Sequence, residues 1–217
     1  MRIIEVKPRR KHICGILFDC ELDPREYGAE VDPAGLLALD SELCELKGLG
    51  AGVELSDEQL LELVRESGVK RAKSRAMWYI SRQDMPKEKL RRKLLECFPD
   101  YAAEAAVDRV VELGFINDLE YARRRLQLIM DTKKVSLRAA ASQLLAEGVG
   151  REDVEIVADE AEYNPTEAIV TLIERKYKSK LEAENGRDKV IAALQRKGYS
   201  YSEIRTALGT LEDDWND

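Results

Sequence analysis

The 217 residues include 44% hydrophobic and 35% charged side chains, with only three Phe and six Pro, a composition suited to helices that each bury a narrow stripe, in one core or in several small modules. No run is long and apolar enough to span a bilayer and the N-terminus has no apolar leader core, so a cytoplasmic location with no membrane partner is expected. Cys14, Cys20, Cys44 and Cys97 form no CxxC pair and His12 is the only histidine, which argues against a metal site and for reduced, partly buried thiols.

Residues 1–66 differ from the rest. Ile3, Ile4 and Val6 begin a short strand, Lys7 to His12 reads as a turn, and Ile13 to Phe18 is an apolar run of strand length. Asp23 to Gly28 gives another turn signal, with Glu30-Val31 a returning strand before Asp32-Pro33 and Leu36 to Leu46 a short helix ended by Gly48 and Gly50. Ser56 followed by Gln59 is a capping-box pattern, opening a helix with Leu60, Leu61, Leu63 and Val64 that ends near Gly68. This is a small β-hairpin extension with one or two helices.

Beyond Val69 the pattern is helical. Arg71 to Arg82 forms one helix, with Ala72, Ala76, Tyr79 and Ile80 on one side. Pro86 starts a second helix, which carries Leu90, Leu94 and Leu95 and stops at Phe98-Pro99. A third runs from about Tyr101 to Leu113, with Ala103, Ala106, Val107, Val110 and Val111 at helical spacing and Gly114 as its terminator. The unit then recurs at a period of fifty residues: Leu94, Leu144 and Leu194; Val107, Val157 and Ala207; Val111, Ala161 and Leu211. Gly148 and Gly198 end the middle helices of the later copies, where the first has Phe98-Pro99. The expected fold is mainly α: three tandem three-helix repeats (67–117, 118–165 and 166–217), elongated and curved, behind the 1–66 extension.

No nucleotide-binding or hydrolase motif is present. His12 reads as solvated, and acidic pairs such as Asp213 with Asp214 or Asp40 with Glu42 read as surface features. The net charge is −7, but its distribution matters more than its sum. The chain is acidic from Asp19 to Glu66 and basic from Lys70 to Lys93; further basic clusters fall at 123–125, 133–138 and 175–180. Arg91, Arg92 and Lys93 cannot lie on the stripe set by Leu90 and Leu94, so they project beside Lys87 and Lys89. A phosphate backbone or an acidic protein groove is the natural counterpart; a merely solvated face is the alternative. Trp78 and Tyr79 share a helix, so at least one packs in the core and the pair is no convincing stacking platform; Trp215 follows an acidic tail and is expected to be exposed.

The segment Leu113 to Ala122 is the most specific. Gly114 ends a helix, Ile116 buries, Asn117 or Asp118 caps the next helix and Tyr121-Ala122 packs it. It resembles the RecX family, as do Ala76 to Arg82 with Lys89 to Leu94 (a first repeat) and Lys189 to Leu208 (a closing repeat). The likeness covers about residues 70–211; the missing glycine of the first repeat and the net acidity depart from it. It implies a non-enzymatic, cofactor-free regulator that binds RecA and its nucleoprotein filament on single-stranded DNA, restraining recombination, ATP turnover and coprotease function in DNA repair and the SOS response. Charge and helix geometry nominate Arg82, Lys87, Arg91, Arg92, Lys93, Arg123, Arg124, Lys133 and Lys134 as contacts of a monomer, with weak direct DNA contact. Two other readings are a direct DNA-binding module built on helix-turn-helix-like units and a helical adaptor for another protein.

Overall fold

The computed structural model describes residues 1–9, 12–23, 26–29, 31, 34, 36–181 and 183–214, except the side chains of 212–214. Glu30 of the expected returning strand, the centre of the Asp23–Gly28 turn, the acidic pair Asp213–Asp214 as side chains, and Trp215 lie outside this description. The chain divides into two units, Met1–Met85 with Lys89–Ile116, and Pro86–Glu88 with residues from Asn117 onward.

In the first unit, two apolar runs pair as an antiparallel hairpin of β1 (Ile3–Pro8) and β2 (Ile13–Phe18), and β2 pairs on its other edge with β3 (Leu37–Asp40). The helix expected over Leu36 to Leu46 is therefore corrected to a strand followed by a short helix, α1 (Ser41–Leu46). A short apolar run does not distinguish a strand from a buried helical segment. Here all four β3 residues are buried, and Asp40 ends the strand by capping α1: its carboxylate accepts the Leu43 N–H at 3.0 Å. Asp40 is thus buried rather than a surface acid; its own N–H donates to Ser67 Oγ at 2.8 Å and Lys70 Nζ approaches its carboxylate at 3.2 Å. Val31 contributes only an isolated bridge to Leu37. Cys14 and Cys44 are buried side by side where the sheet turns Cys14 towards α1, while Cys20 and Cys97 are free and exposed. The expectation of partly buried thiols is thus corrected for Cys20 and Cys97, which lie at the surface.

The sheet packs Ile3, Ile16, Phe18, Leu37 and Leu39 against Leu60, Leu63 and Val64 of α2 (Asp57–Arg82). The Ser56 capping box is present, but the expected break near Gly68 is not: two predicted helices are one of 26 residues, and position 66/67 falls inside it. Gly68 serves close approach instead of termination, since a Cβ there would sit 3.1 Å from the Tyr101 hydroxyl oxygen. One turn on, Ala72 and Ala76 meet Ala102, Ala103, Ala106, Val107 and Val110 of α4 (Asp100–Glu112), and Leu90 and Leu94 of α3 (Lys87–Leu95) complete this core.

The second unit repeats the motif twice. Helices α5 (Asp118–Lys133), α6 (Leu137–Glu147) and α7 (Arg151–Glu160) enclose Leu126, Ile129, Ala140, Leu144, Val154 and Val157. Next, α8 (Pro165–Leu172) runs through a π-helical turn, Ile173–Tyr177, into α9 (Lys178–Leu181). With α10 (Gly186–Arg196) and α11 (Tyr201–Asp214) it encloses Ile169, Ile173, Val190, Leu194, Ile204 and Ala207. Leu94, Leu144 and Leu194 are all fully buried, as the fifty-residue period requires. Val111, at 39% exposure, departs from Leu211, which is buried.

Two contacts brace this unit. The Glu147 carboxylate receives a forked Arg125 guanidinium at 2.6 and 2.8 Å, with Gln143 and the Tyr121 hydroxyl donating at 2.7 and 3.0 Å. These donors, Arg125 first, hold its pKa down to about 2. Gly198 (φ +90°) leaves no room for a Cβ, which would lie 2.6 Å from both Ala139 Cβ and Ser136 Oγ; around it the Lys197 carbonyl accepts the Ser136 N–H at 3.0 Å and the Gly198 carbonyl accepts from Arg138 at 3.1 Å.

Gly198→Ala, forced into a left-handed conformation and a clash, should lose about 1–3 kcal/mol in urea unfolding. Gly209→Ala, whose Cβ would meet nothing within 4 Å, should be neutral or stabilising by about 0.5 kcal/mol. Glu147, whose pKa is depressed on folding, stabilises the native state above its unfolded pKa of about 4.3, and this is lost as pH falls towards about 2. Glu147→Gln should thus cost on the order of 2 kcal/mol at pH 7 and flatten the stability slope between those pH values. An unchanged acid limb would show that the network contributes nothing.

Candidate functional site

The sequence nominated exposed cations, and the structure sorts them by what they touch. On α2 the residues Arg71, Arg75, Trp78 and Arg82 recur at one helical face, opposite neither sheet nor α4 but clear of the buried Ala72–Ala76 stripe. Trp78 is 45% exposed, with the Arg82 and Arg75 guanidinium carbons 4.6 and 5.4 Å from its ring centroid. Tyr79 packs against the core and meets the indole edge-on, centroids 5.2 Å apart; Arg75 lies 5.9 Å and Lys93 Nζ of α3 5.2 Å from its centroid. Arg71 lies 6.0 Å from the centroid of Phe98, the residue that replaces the glycine turn of the other repeats. The expectation that at least one of Trp78 and Tyr79 packs is met by Tyr79.

Arg75, Arg82 and Lys93 pair with no carboxylate among the described residues; their contacts are ring faces. Arg91 differs, since its Nε donates to Glu104 of α4. Arg92 and Lys87 are exposed, and the Lys87 backbone N–H is held by the Asp118 carboxylate at 2.8 Å.

Elsewhere the nominated residues serve different ends. Arg123 forks onto Glu160 at 2.8 and 2.9 Å and also meets Glu120, tying α5 to α7; both partners raise its pKa, Glu160 foremost. Arg124 is exposed. Lys133 Nζ donates to Gln143 Oε1 at 2.6 Å, and Lys134 takes the left-handed cap of α5 (φ 50°). Lys197 Nζ donates to the Lys133 carbonyl; burial, then the neighbouring Lys176, lowers its pKa. An open groove beside these residues is lined by Met130, Lys134, Tyr163, Arg175, Lys176 and Tyr199. The nominated set is thus not one site. It is an aromatic–cation face on α2 and α3, an internal brace at Arg123, and a lysine cluster at the end of α5.

Sequence reasoning left Arg75 out of the nominated contacts and set Trp78 and Tyr79 aside as no convincing stacking platform. The signal for Arg75 and Trp78 was the spacing 71, 75, 78 and 82, which marks one helix face once the helix is continuous. Among the described residues, no group of His, Cys, Asp and Glu is placed to hold a metal ion, and no helix is long and apolar enough to cross a membrane.

The junction before α5 is built as its sequence suggests. Gly114 adopts φ +71°, Ile116 is buried, Asn117 rather than Asp118 caps α5 by accepting the Glu120 N–H at 3.0 Å, and Tyr121 and Ala122 are buried.

Comparison with known proteins bears on these features. The family profile described as RecX, third three-helix domain, matches residues 162–208. The regulatory protein RecX of Bacillus cereus (strain G9842) is 28% identical over 220 residues, 99% of this chain and 77% of that protein. That of Clostridioides difficile (strain 630) is 23% identical over 184 residues, 83% and 87% of the two chains. A crystal structure of regulatory protein RecX shares the fold at a TM-score of 0.64 and 18% identity, over 96% of this chain and 98% of its own. RecX from Lactobacillus salivarius shares it at 0.59 and 22%, over 67% and 97%. Near-full-length relatives, a domain profile on the third repeat and a shared helical fold agree in likening this chain to the RecX regulatory proteins.

Proposed function

We propose that this chain is a cytoplasmic, non-enzymatic regulator that binds RecA and its nucleoprotein filament on single-stranded DNA and inhibits recombinase, ATPase and coprotease activities. It acts as a monomer and without a cofactor. Likeness to the RecX regulatory proteins supports the regulator class, and the observation that carries a filament partner is the set of exposed cations on α2 and α3 in a chain of net charge −7. A filament of protein and phosphate backbone offers the complementary charge.

The division into an extension and three repeats at 67–117, 118–165 and 166–217 is part of the proposal, since separate units can each add a weak contact that sums through effective concentration. The proposed contacts are Arg82, Lys87, Arg92 and Lys93, then Arg124, Lys133 and Lys134. Arg91 and Arg123 belong to the set only if a partner's acid displaces Glu104 or Glu160.

The test is RecA ATP hydrolysis on single-stranded DNA, titrated with this protein and using RecA of the same organism. Substoichiometric inhibition is expected, and Arg92→Glu with Lys93→Glu should raise the half-inhibitory concentration by about tenfold, the effect of roughly 1.4 kcal/mol at a charged interface. Unchanged hydrolysis together with no binding to preformed filaments would remove RecA as the partner.

A further inference from the structure

We propose that Trp78 is a stacking platform for an unpaired base, and that Arg75, Arg82 and Lys93 hold the adjoining phosphates, so that this protein grips single-stranded nucleic acid directly. The inference deepens the regulator reading and rests on it for the setting in which exposed strand is met.

Three observations carry it. First, an indole on a well-ordered helix is normally drawn into a core, whereas Trp78 keeps 45% of its surface exposed while its neighbour Tyr79 takes the buried role. Secondly, the cations around it are not neutralised. Arg91, Arg123 and Arg125 each have a carboxylate partner; among the described residues Arg75 and Arg82 have only rings. Their charge is left to the surface, where it attracts a polyanion, and guanidinium planes also stack on bases. Thirdly, Arg71, Arg75, Trp78 and Arg82 form a row along α2, rising about 5.4 Å per turn, and Lys93 flanks it from α3. An aromatic ring set within a basic track is the arrangement that binds single strands with little sequence preference.

The same features select among partners. A duplex keeps its base faces stacked inside, so a ring standing on a helix surface cannot reach them. An acidic peptide could pair with the cations but would leave the indole face without a planar counterpart. Single-stranded nucleic acid satisfies both.

The chain has two tryptophans, so Trp215→Phe leaves Trp78 as the sole indole reporter in the full-length protein. Titration with a short oligothymidylate, without RecA, should quench its emission saturably, and the affinity should fall steeply with salt. Trp78→Ala should weaken binding, read by anisotropy of a labelled strand, by about tenfold, the share of one stacked base. Trp78→Phe should recover part of that, and Arg82→Ala should reduce the salt slope. Far-ultraviolet circular dichroism of each variant guards against misfolding. An abasic strand of equal length should bind more weakly and quench nothing.

Equal binding of abasic and thymidine strands, or an unaltered Trp78→Ala, would overturn the stacking site; so would absence of oligothymidylate binding, or polyglutamate that binds as tightly as the strand. Because RecA is absent, this outcome is independent of the hydrolysis test. A strand gripped by Trp78 with RecA hydrolysis unaffected keeps this inference and removes the regulator reading. Inhibition without strand binding does the reverse.

Discussion

The first unit depends on α2 remaining unbroken through Gly68. A single helix there presents three different faces to three different tasks: Leu60, Leu63 and Val64 to the sheet, Ala72 and Ala76 to α4, and Arg71, Arg75, Trp78 and Arg82 to solvent. Were the helix to stop at Gly68, the register between the first set and the last would be lost, and nothing would fix Trp78 relative to Tyr79 and Lys93. Gly68 weakens helix propensity by about 1 kcal/mol, but its missing Cβ leaves room for the Tyr101 hydroxyl oxygen, 3.1 Å from where that Cβ would lie, and the closely packed alanines beyond it offset the loss through dispersion and burial.

The charges obey a second constraint. The linear sequence shows basic and acidic segments well separated, which suggests that the cations face outward unpaired. Folding brings the segments together selectively. Lys70 meets Asp40 and Glu42, Arg91 meets Glu104, Arg123 meets Glu160 and Arg125 meets Glu147, across separations of 13 to 37 residues. Pairs at this separation have no local signature, unlike those three or four apart on one helix. A charge run therefore overstates what a surface offers to a partner. Arg75, Arg82 and Lys93, which meet ring faces instead of carboxylates, were distinguished by geometry alone.

Much of the fold was legible nonetheless. The fifty-residue period works because Leu94, Leu144 and Leu194 occupy the same fully buried place in three cores. Ser56, Asn117 and Gly114 announced helix ends through chemistry that is local by nature. The failures were of the opposite kind. Leu37 to Asp40 became a strand because β2 offered an edge, and Gly68 stayed helical because of a tyrosine thirty-three positions away. Both depend on tertiary partners. The site suffered in the same way: the stripe from Arg71 to Arg82 was present in the sequence, but its meaning required knowing which of Trp78 and Tyr79 goes inside.

Repetition also explains how the units can share a core and differ in surface. The buried positions are mostly Ala, Val, Leu and Ile, with Met85, Tyr121, Tyr177 and Tyr199 beside them, and tolerate little change in volume, so the three cores stay alike. The turn after the middle helix is less constrained. In the first copy it carries Phe98, which lies beneath Arg71, where the later copies have left-handed Gly148 and Gly198. Gly198 admits the close approach of Ser136 and Ala139, which joins the second and third copies, whereas an aromatic in the same place supports a cationic side chain. One exchanged turn thus converts a packing surface into a displaying one, and it does so without altering the leucine that anchors the helix four residues earlier.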